Sequence, residues 1–215
     1  MKRGLDTNKM NKKDKQKKAI KQLMTLKSVG KKLRLAADGW DCDWKTLIAT
    51  LMSARTTDKK TIPTAEELFF KYNTIEKIAK AKEEDIANII RPVNFYKTKA
   101  KHIAELAKIL VEKYNGEVPH DFNLLIELPG VGRKTTNVFL AEQGHGTIGV
   151  DTHLNYMSNY LGWTKNKEQH KIEFDLEKLF PRRLWGDLNW IVVRFGQTYS
   201  NKKVKNKILD KIKII

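Results

Sequence analysis

The sequence predicts an all-α fold, and three observations point to it. Apolar residues recur at three- and four-residue intervals through most of the chain. No segment sustains the every-second-residue alternation of a half-buried strand. Between Leu124 and Glu142 an apolar run meets a Pro-Gly turn, a second glycine follows, and a new periodic run begins: a helix, a tight hairpin and a helix.

Taken in order, residues 1–18 are lysine-rich without apolar periodicity and read as a flexible basic arm. Ala19, Ile20, Leu23, Met24 and Leu26 then fall at helical spacing, and Gly39 punctuates the stretch after them. Trp44, Leu47, Ile48, Leu51 and Met52 form one apolar stripe, which reads as core packing. That helix runs out near 53–58, where Asp58 is placed to cap the next one. Helical patterns continue at 64–72, 75–81 and 83–90, the last stopped by Pro92. A short connection over 93–96, with Phe95 and Tyr96 read as core, leads into a long helix over 97–114. Its Ala100, Ile103, Ala104, Ala107, Leu110, Val111 and Tyr114 share one face. Residues 115–119 turn the chain toward the hairpin. Beyond it, Leu154, Met157 and Leu161 continue a helical face, a helix over 167–180 closes at Pro181, and another spans 184–199. Val204, Ile208 and Ile212 recur every four residues and predict a final amphipathic helix.

The chain has 215 residues, enough for one sizeable core or two small ones. Hydrophobic content of 40% and charged content of 31% fit a soluble globular protein. No apolar run is long enough to span a bilayer, and no apolar signal region opens the chain, so secretion is not expected. Cys42 is the single cysteine. It excludes internal disulfides and any multi-cysteine metal site, fits a reducing intracellular setting, and reads as a small packing residue. The net charge of +17 is uneven: residues 1–34 hold 13 Lys or Arg against 2 Asp, and residues 201–215 hold 6 Lys against Asp210, leaving +1 for the body. Basic ends can be solubilising tails. They also suit a polyanion, because each contact releases a condensed counterion.

The chemistry concentrates in Leu128-Pro129-Gly130-Val131-Gly132-Arg133-Lys134. The two glycines can adopt angles closed to other residues and leave room for close approach. Amides opening the second helix lack intrahelical partners, and the dipole there favours an anion such as a DNA phosphate. Standing alone, Pro-Gly-x-Gly is an ordinary helix–helix turn. It does not stand alone. Lys134 lies in the first turn of the new helix, and Val150-Asp151-Thr152-His153 comes after a run of small residues. A lysine beside a phosphate-binding turn, with a carboxylate folded back toward it, has the parts of an amine nucleophile.

LPGVGRKT, the spacer and VDTH together resemble the helix-hairpin-helix DNA glycosylases, endonuclease III in particular. The similarity extends through WKTLIATLMSARTTD (44–58) and NFYKTKAKHIAELAKILVEKYNGEVP (94–119), and covers about residues 40 to 200. It implies two helical lobes with a DNA-binding cleft between them. One is a barrel over 40–148 ending in the helix-hairpin-helix at 124–142. The other is a discontinuous lobe of 19–39 plus 149–215. It further implies base excision from damaged duplex DNA by a monomer in the cytoplasm or nucleoid of a prokaryote, with no membrane involvement. Lys134 would be the nucleophile, Asp151 the essential carboxylate, and residues 128–133 the phosphate grip. Arg55 stands where relatives commonly carry a glutamine that fills the gap left by an extruded base; a solvated arginine at a helix end is the alternative. Val93 or its neighbours would wedge beside the lesion. His153 would meet a phosphate, the backbone or the orphaned opposite base, or simply pack.

One departure is plain. Many endonuclease III relatives end with four cysteines holding a [4Fe–4S] cluster, whereas this chain has none after Cys42, so no cofactor is expected. The lysine-rich last helix is expected to take over the structural role. The resemblance implies a glycosylase with AP lyase activity on oxidised pyrimidines such as thymine glycol. Two other readings stand beside it: a monofunctional T/U mismatch glycosylase, and a non-catalytic helix-hairpin-helix DNA-binding protein. The presence of both Lys134 and Asp151 favours the glycosylase with AP lyase activity over either of these.

Overall fold

A computed structural model describes residues 11–215. Among them the structure is helical without strands, and no helix is long and apolar enough to cross a membrane. The chain divides into two compact units: one joins the chain up to Lys31 to Val150–Ile215, and the other is continuous from Lys32 to Gly149. The boundary falls earlier than residue 40 because residues 32–40 pack on the continuous unit. Leu35 and Ala36 are buried, Arg34 pairs with Glu66 at 2.5 Å, and Trp40 meets Phe69 edge-to-face at 5.0 Å.

In the continuous unit, α2 (Asp43–Ser53), α3 (Asp58–Lys71), α4 (Ile75–Lys80) and α5 (Glu83–Ile89) precede the long α6 (Tyr96–Tyr114). The short α7 (Phe122–Ile126) and α8 (Arg133–Glu142) complete the unit. α6 packs against α4, α5 and α2, and α2 against α3 and α8. Leu47, Ile48, Met52, Leu68, Ile78, Ile86, Ile103, Leu110 and Phe139 meet in one core. α3 starts six residues before the expected Thr64, carrying Pro63 inside it. Proline removes one ladder bond there, and Thr61 Oγ1, donating to the Thr57 carbonyl at 3.1 Å, helps bind the first turns.

In the other unit, α1 (Lys12–Val29) packs on α10 (Gln169–Leu179), α11 (Trp185–Thr198) and α12 (Lys202–Lys213), while α9 (Thr152–Leu161) packs on α10, α11 and α12. Residues 12–18, expected in a flexible arm, are helix. Asn11 caps them through its side chain at 2.7 Å, and Gln16 Nε2 donates to the Leu179 carbonyl at 3.0 Å. The rest of the expected arm lies outside the described residues. α12 buries Leu209 and Ile212. Tyr156 and Tyr160, one turn apart on α9, donate to Asn206 (2.5 Å) and Asp210 (2.7 Å), one turn apart on α12. The Asp210 hydrogen bond pushes the Tyr160 phenol up to about 12. Gln22 Nε2 donates to the Ile212 carbonyl at 3.2 Å, and its Oε1 accepts from Trp163 at 2.8 Å.

Candidate active site

Asp121 starts the hairpin by capping α7, its carboxylate accepting from the Asn123 amide at 2.8 Å and the Leu124 amide at 3.0 Å. Leu125, Leu128 and Val131 turn inward and are buried, so the turn is held by its apolar side chains. The Val131 amide closes it on the Leu128 carbonyl at 3.0 Å. Gly130 is fixed twice over. Its φ is +74°, and a Cβ there would stand 2.6 Å from His102 Nδ1. Gly132 differs from the expectation of special angles: φ is −94°, open to any residue. What it supplies is space, since nothing lies within 4 Å of where its Cβ would be. It is the N-cap of α8 without a side-chain cap, and it leaves that helix mouth uncovered.

Arg133 stacks over Phe122 at 5.0 Å, and the half-buried Lys134 is the second residue of α8. The return segment is stapled to the same helix. Thr147 Oγ1 donates to the Asn137 carbonyl at 2.7 Å, and Asn137 Nδ2 donates to the Ile148 carbonyl at 3.0 Å. A side chain at Gly149 would overlap Val138, with the Lys134 carbonyl 3.4 Å away. Gly149 therefore lies directly on the turn that carries Lys134.

Asp151 and His153 belong to the discontinuous unit. Asp151 is the N-cap of α9, its Oδ1 accepting from the Leu154 amide at 2.8 Å. The generic reading of an Asp-Thr as a helix cap is thus realised, with Oδ2 outside that bond. The His153 ring is seated on Gly196 of α11 so closely that any side chain there would overlap it.

A second group of residues gathers where α2 ends and α6 begins. Arg55 and Phe95 both have left-handed backbone (φ 56° and 59°), and the guanidinium lies 5.7 Å from the phenyl ring. Asn94 joins them, its Nδ2 donating to the Arg55 carbonyl at 2.5 Å and its amide to Thr56 Oγ1 at 3.1 Å. Here two expectations are corrected. Val93 is 1% exposed, packed in the core, and has no surface to offer as a wedge. Phe95, expected in the core, is 59% exposed. The left-handed turn reverses which of the two points out, and apolar counting could not see that reversal. Sequence reasoning also passed over Lys99. It is buried on α6, and its signal was its place four residues before Ile103 on the apolar face.

The family model for the HhH-GPD superfamily of base excision DNA repair proteins matches residues 48–182. Endonuclease III of Thermotoga maritima is 43% identical over 155 residues, covering 72% of this chain and 73% of that protein. Endonuclease III of Rickettsia conorii is 37% identical over 70% of this chain and 73% of its own length. Among solved structures, a trapped endonuclease III–DNA covalent intermediate in an estranged-adenine complex superposes with TM-score 0.80 at 30% identity, covering 87% of this chain and 89% of that one. A thermostable thymine-DNA glycosylase at 22% identity, TM-score 0.76, covering 89% of this chain and 90% of its own, shares the fold. With a family match over most of its length and relatives at this identity, the chain belongs to the HhH-GPD superfamily of base excision DNA repair proteins, in its endonuclease III branch.

Proposed function

We propose that this chain is a bifunctional base-excision enzyme, a DNA glycosylase that removes oxidised pyrimidines such as thymine glycol from duplex DNA and then nicks the strand 3′ to the abasic site. The observation that carries the reading is the place of Lys134, on the first turn of α8 just past the uncovered Gly132. A base inside the stack is out of reach, so the nucleotide is extruded, and the hairpin takes a neighbouring phosphate at the mouth of α8. The free amine of Lys134 attacks C1′. A C–N bond forms as the glycosidic bond breaks, and the base leaves with a proton. Opening of the sugar ring gives an imine. Loss of a C2′ proton then expels the 3′ phosphate by β-elimination.

Asp151 supplies the carboxylate that stabilises positive charge developing at C1′. Its Oδ1 is oriented by the α9 cap. Arg55 enters the gap left by the extruded nucleotide, with Phe95 as the wedge beside it. The support is that both are exposed and joined by Asn94. His153, backed by Gly196, offers its outer edge to the backbone or the orphaned base. The solved relative was trapped as a covalent intermediate with DNA, the species this chemistry forms.

The enzyme works without an iron–sulfur cluster in this reading. A cluster of that kind takes four thiolates, and the chain has one cysteine. Cys42 is the N-cap of α2, far in sequence from the carboxyl-terminal helix α12.

Borohydride trapping on thymine-glycol and abasic duplexes, beside Lys134→Ala, tests the proposal. A covalent adduct with wild type alone is expected. Base release without an adduct would give the enzyme to the monofunctional reading, and tight binding without reaction to the DNA-binding one.

A further inference from the structure

Lysine is seldom buried without a carboxylate partner, yet Lys99 is 7% exposed and all its hydrogen-bond acceptors are neutral. Its three N–H groups meet three oxygens: the Met52 carbonyl at 2.7 Å, the Ala54 carbonyl at 2.6 Å and Thr56 Oγ1 at 3.3 Å. The two carbonyls belong to the last turn and cap of α2, where oxygens lack intrahelical donors and the dipole favours a cation. The third oxygen is the one that also accepts from the Asn94 amide. The ammonium thus ties the end of α2 and the turn after it to α6, on both sides of Arg55. Two adjoining left-handed residues that are not glycine are a strained arrangement and need surroundings that over-determine them.

We propose that Lys99 is the positioning residue for the duplex-entering pair. Its ammonium clamps the 53–56 turn onto α6, holds Arg55 and Phe95 as one preset wedge, and so sets how strictly the base opposite the lesion is read. The proposal rests on the reading above in which Arg55 enters the duplex. An apolar side chain of the same length would fill the space and take the ammonium donor from the Met52 and Ala54 carbonyls, leaving Thr56 Oγ1 only the Asn94 amide. Burial also pushes the Lys99 amine down to about 8. A neutral amine has only two N–H groups for three acceptors, so the clamp loosens in mildly alkaline solution.

The test uses the full chain and a duplex carrying a stable abasic-site analogue opposite 2-aminopurine. Anisotropy reports binding, and 2-aminopurine emission reports entry into the gap. Wild type is expected to change the emission and Arg55→Ala to abolish the change. Lys99→Met is expected to lose at least two thirds of it, with less than a threefold change in Kd. The Lys99→Met/Arg55→Ala double variant should match Arg55→Ala alone, because one residue acts through the other. The ratio of thymine glycol excision opposite A and opposite G should move toward one in Lys99→Met. If that variant melts below the assay temperature, Lys99→Gln, which keeps two donors, carries the same comparison. Wild-type emission in Lys99→Met, or a double variant worse than Arg55→Ala by the full single-variant factor, overturns the proposal. A wild type that binds without any emission change overturns it too, since Arg55 then stays outside the helix. Intact emission without base release would remove the glycosylase reading and leave the clamp standing.

Discussion

Asp151 carries two duties that one substitution separates. In Asp151→Asn the amide oxygen can still accept from Leu154, so stability should stay within about 1 kcal/mol of wild type. The charge is gone, so excision and trapping should fall by roughly a hundredfold or more. Melting curves beside single-turnover rates check this, and full activity in the Asn variant would reduce Asp151 to a cap. The two hairpin glycines part company in the same way. Gly130→Ala strains a left-handed residue and drives a methyl into His102, at a cost of about 1–3 kcal/mol. Gly132→Ala has neither penalty, so it should weaken duplex binding with an unchanged melting temperature; a Gly132→Ala that binds normally would mean no phosphate sits there. Lys99 links stability to pH with a definite sign. The unfolded chain holds that proton up to about 10.5, while the folded one releases it near 8. Between those values the unfolded state binds more protons, so stability rises with pH, by about 3 kcal/mol for this group. Urea unfolding of wild type and Lys99→Met from pH 7 to 11 should show wild type gaining on the variant, and parallel curves would refute the assignment.

At the scale of elements, α12 has few apolar residues and is held by two buried anchors together with polar contacts. It buries Leu209 and Ile212 and is fastened by Tyr156, Tyr160 and Gln22. Deleting residues 205–215 removes both leucine and isoleucine anchors, a loss of about 3–6 kcal/mol from burial alone. The discontinuous unit should then unfold at distinctly lower denaturant; an unaltered transition would show that α12 only rides on the surface. The periodicity of α12 was visible in the sequence, as were α2, α6 and the hairpin, because long amphipathic runs and Pro-Gly turns record their structure locally. The tyrosine pair was not visible, since its partners lie fifty residues away. Nor was the start of α1, whose first turns are polar and are held by a cap and by Gln16 rather than by an apolar face. In the candidate site, Lys134 and Asp151 were named from motif spacing. Val93 and Phe95 exchanged places, because a left-handed residue inverts the side-chain order that a periodic pattern assumes.

Across the whole molecule, charge tracks the division into units. Residues 1–31 with 150–215 hold 24 Lys or Arg against 9 Asp or Glu, which is +15 of the total +17, and residues 32–149 hold 18 against 16. Lys203, Lys207 and Lys211 form an exposed stripe one turn apart on α12. Replacing all three with Gln should flatten the dependence of log affinity on log salt by about 0.9 for each phosphate no longer neutralised. An unaltered slope would mean that the stripe meets only solvent. The same division orders the birth of the protein. The unit over residues 32–149 is complete once its own stretch has left the ribosome, and domains commonly fold as they emerge. α1, made before it, has no such freedom: Leu23 and Leu26 are buried in a unit whose other helices are the last to be synthesised. At elongation rates of about 5–20 residues per second that delay is about 10–40 s. For that interval the nascent chain carries an amphipathic, lysine-rich helix segment with its apolar side uncovered, which makes it a ready client for a holdase and the stretch where premature termination would leave an aggregation-prone fragment.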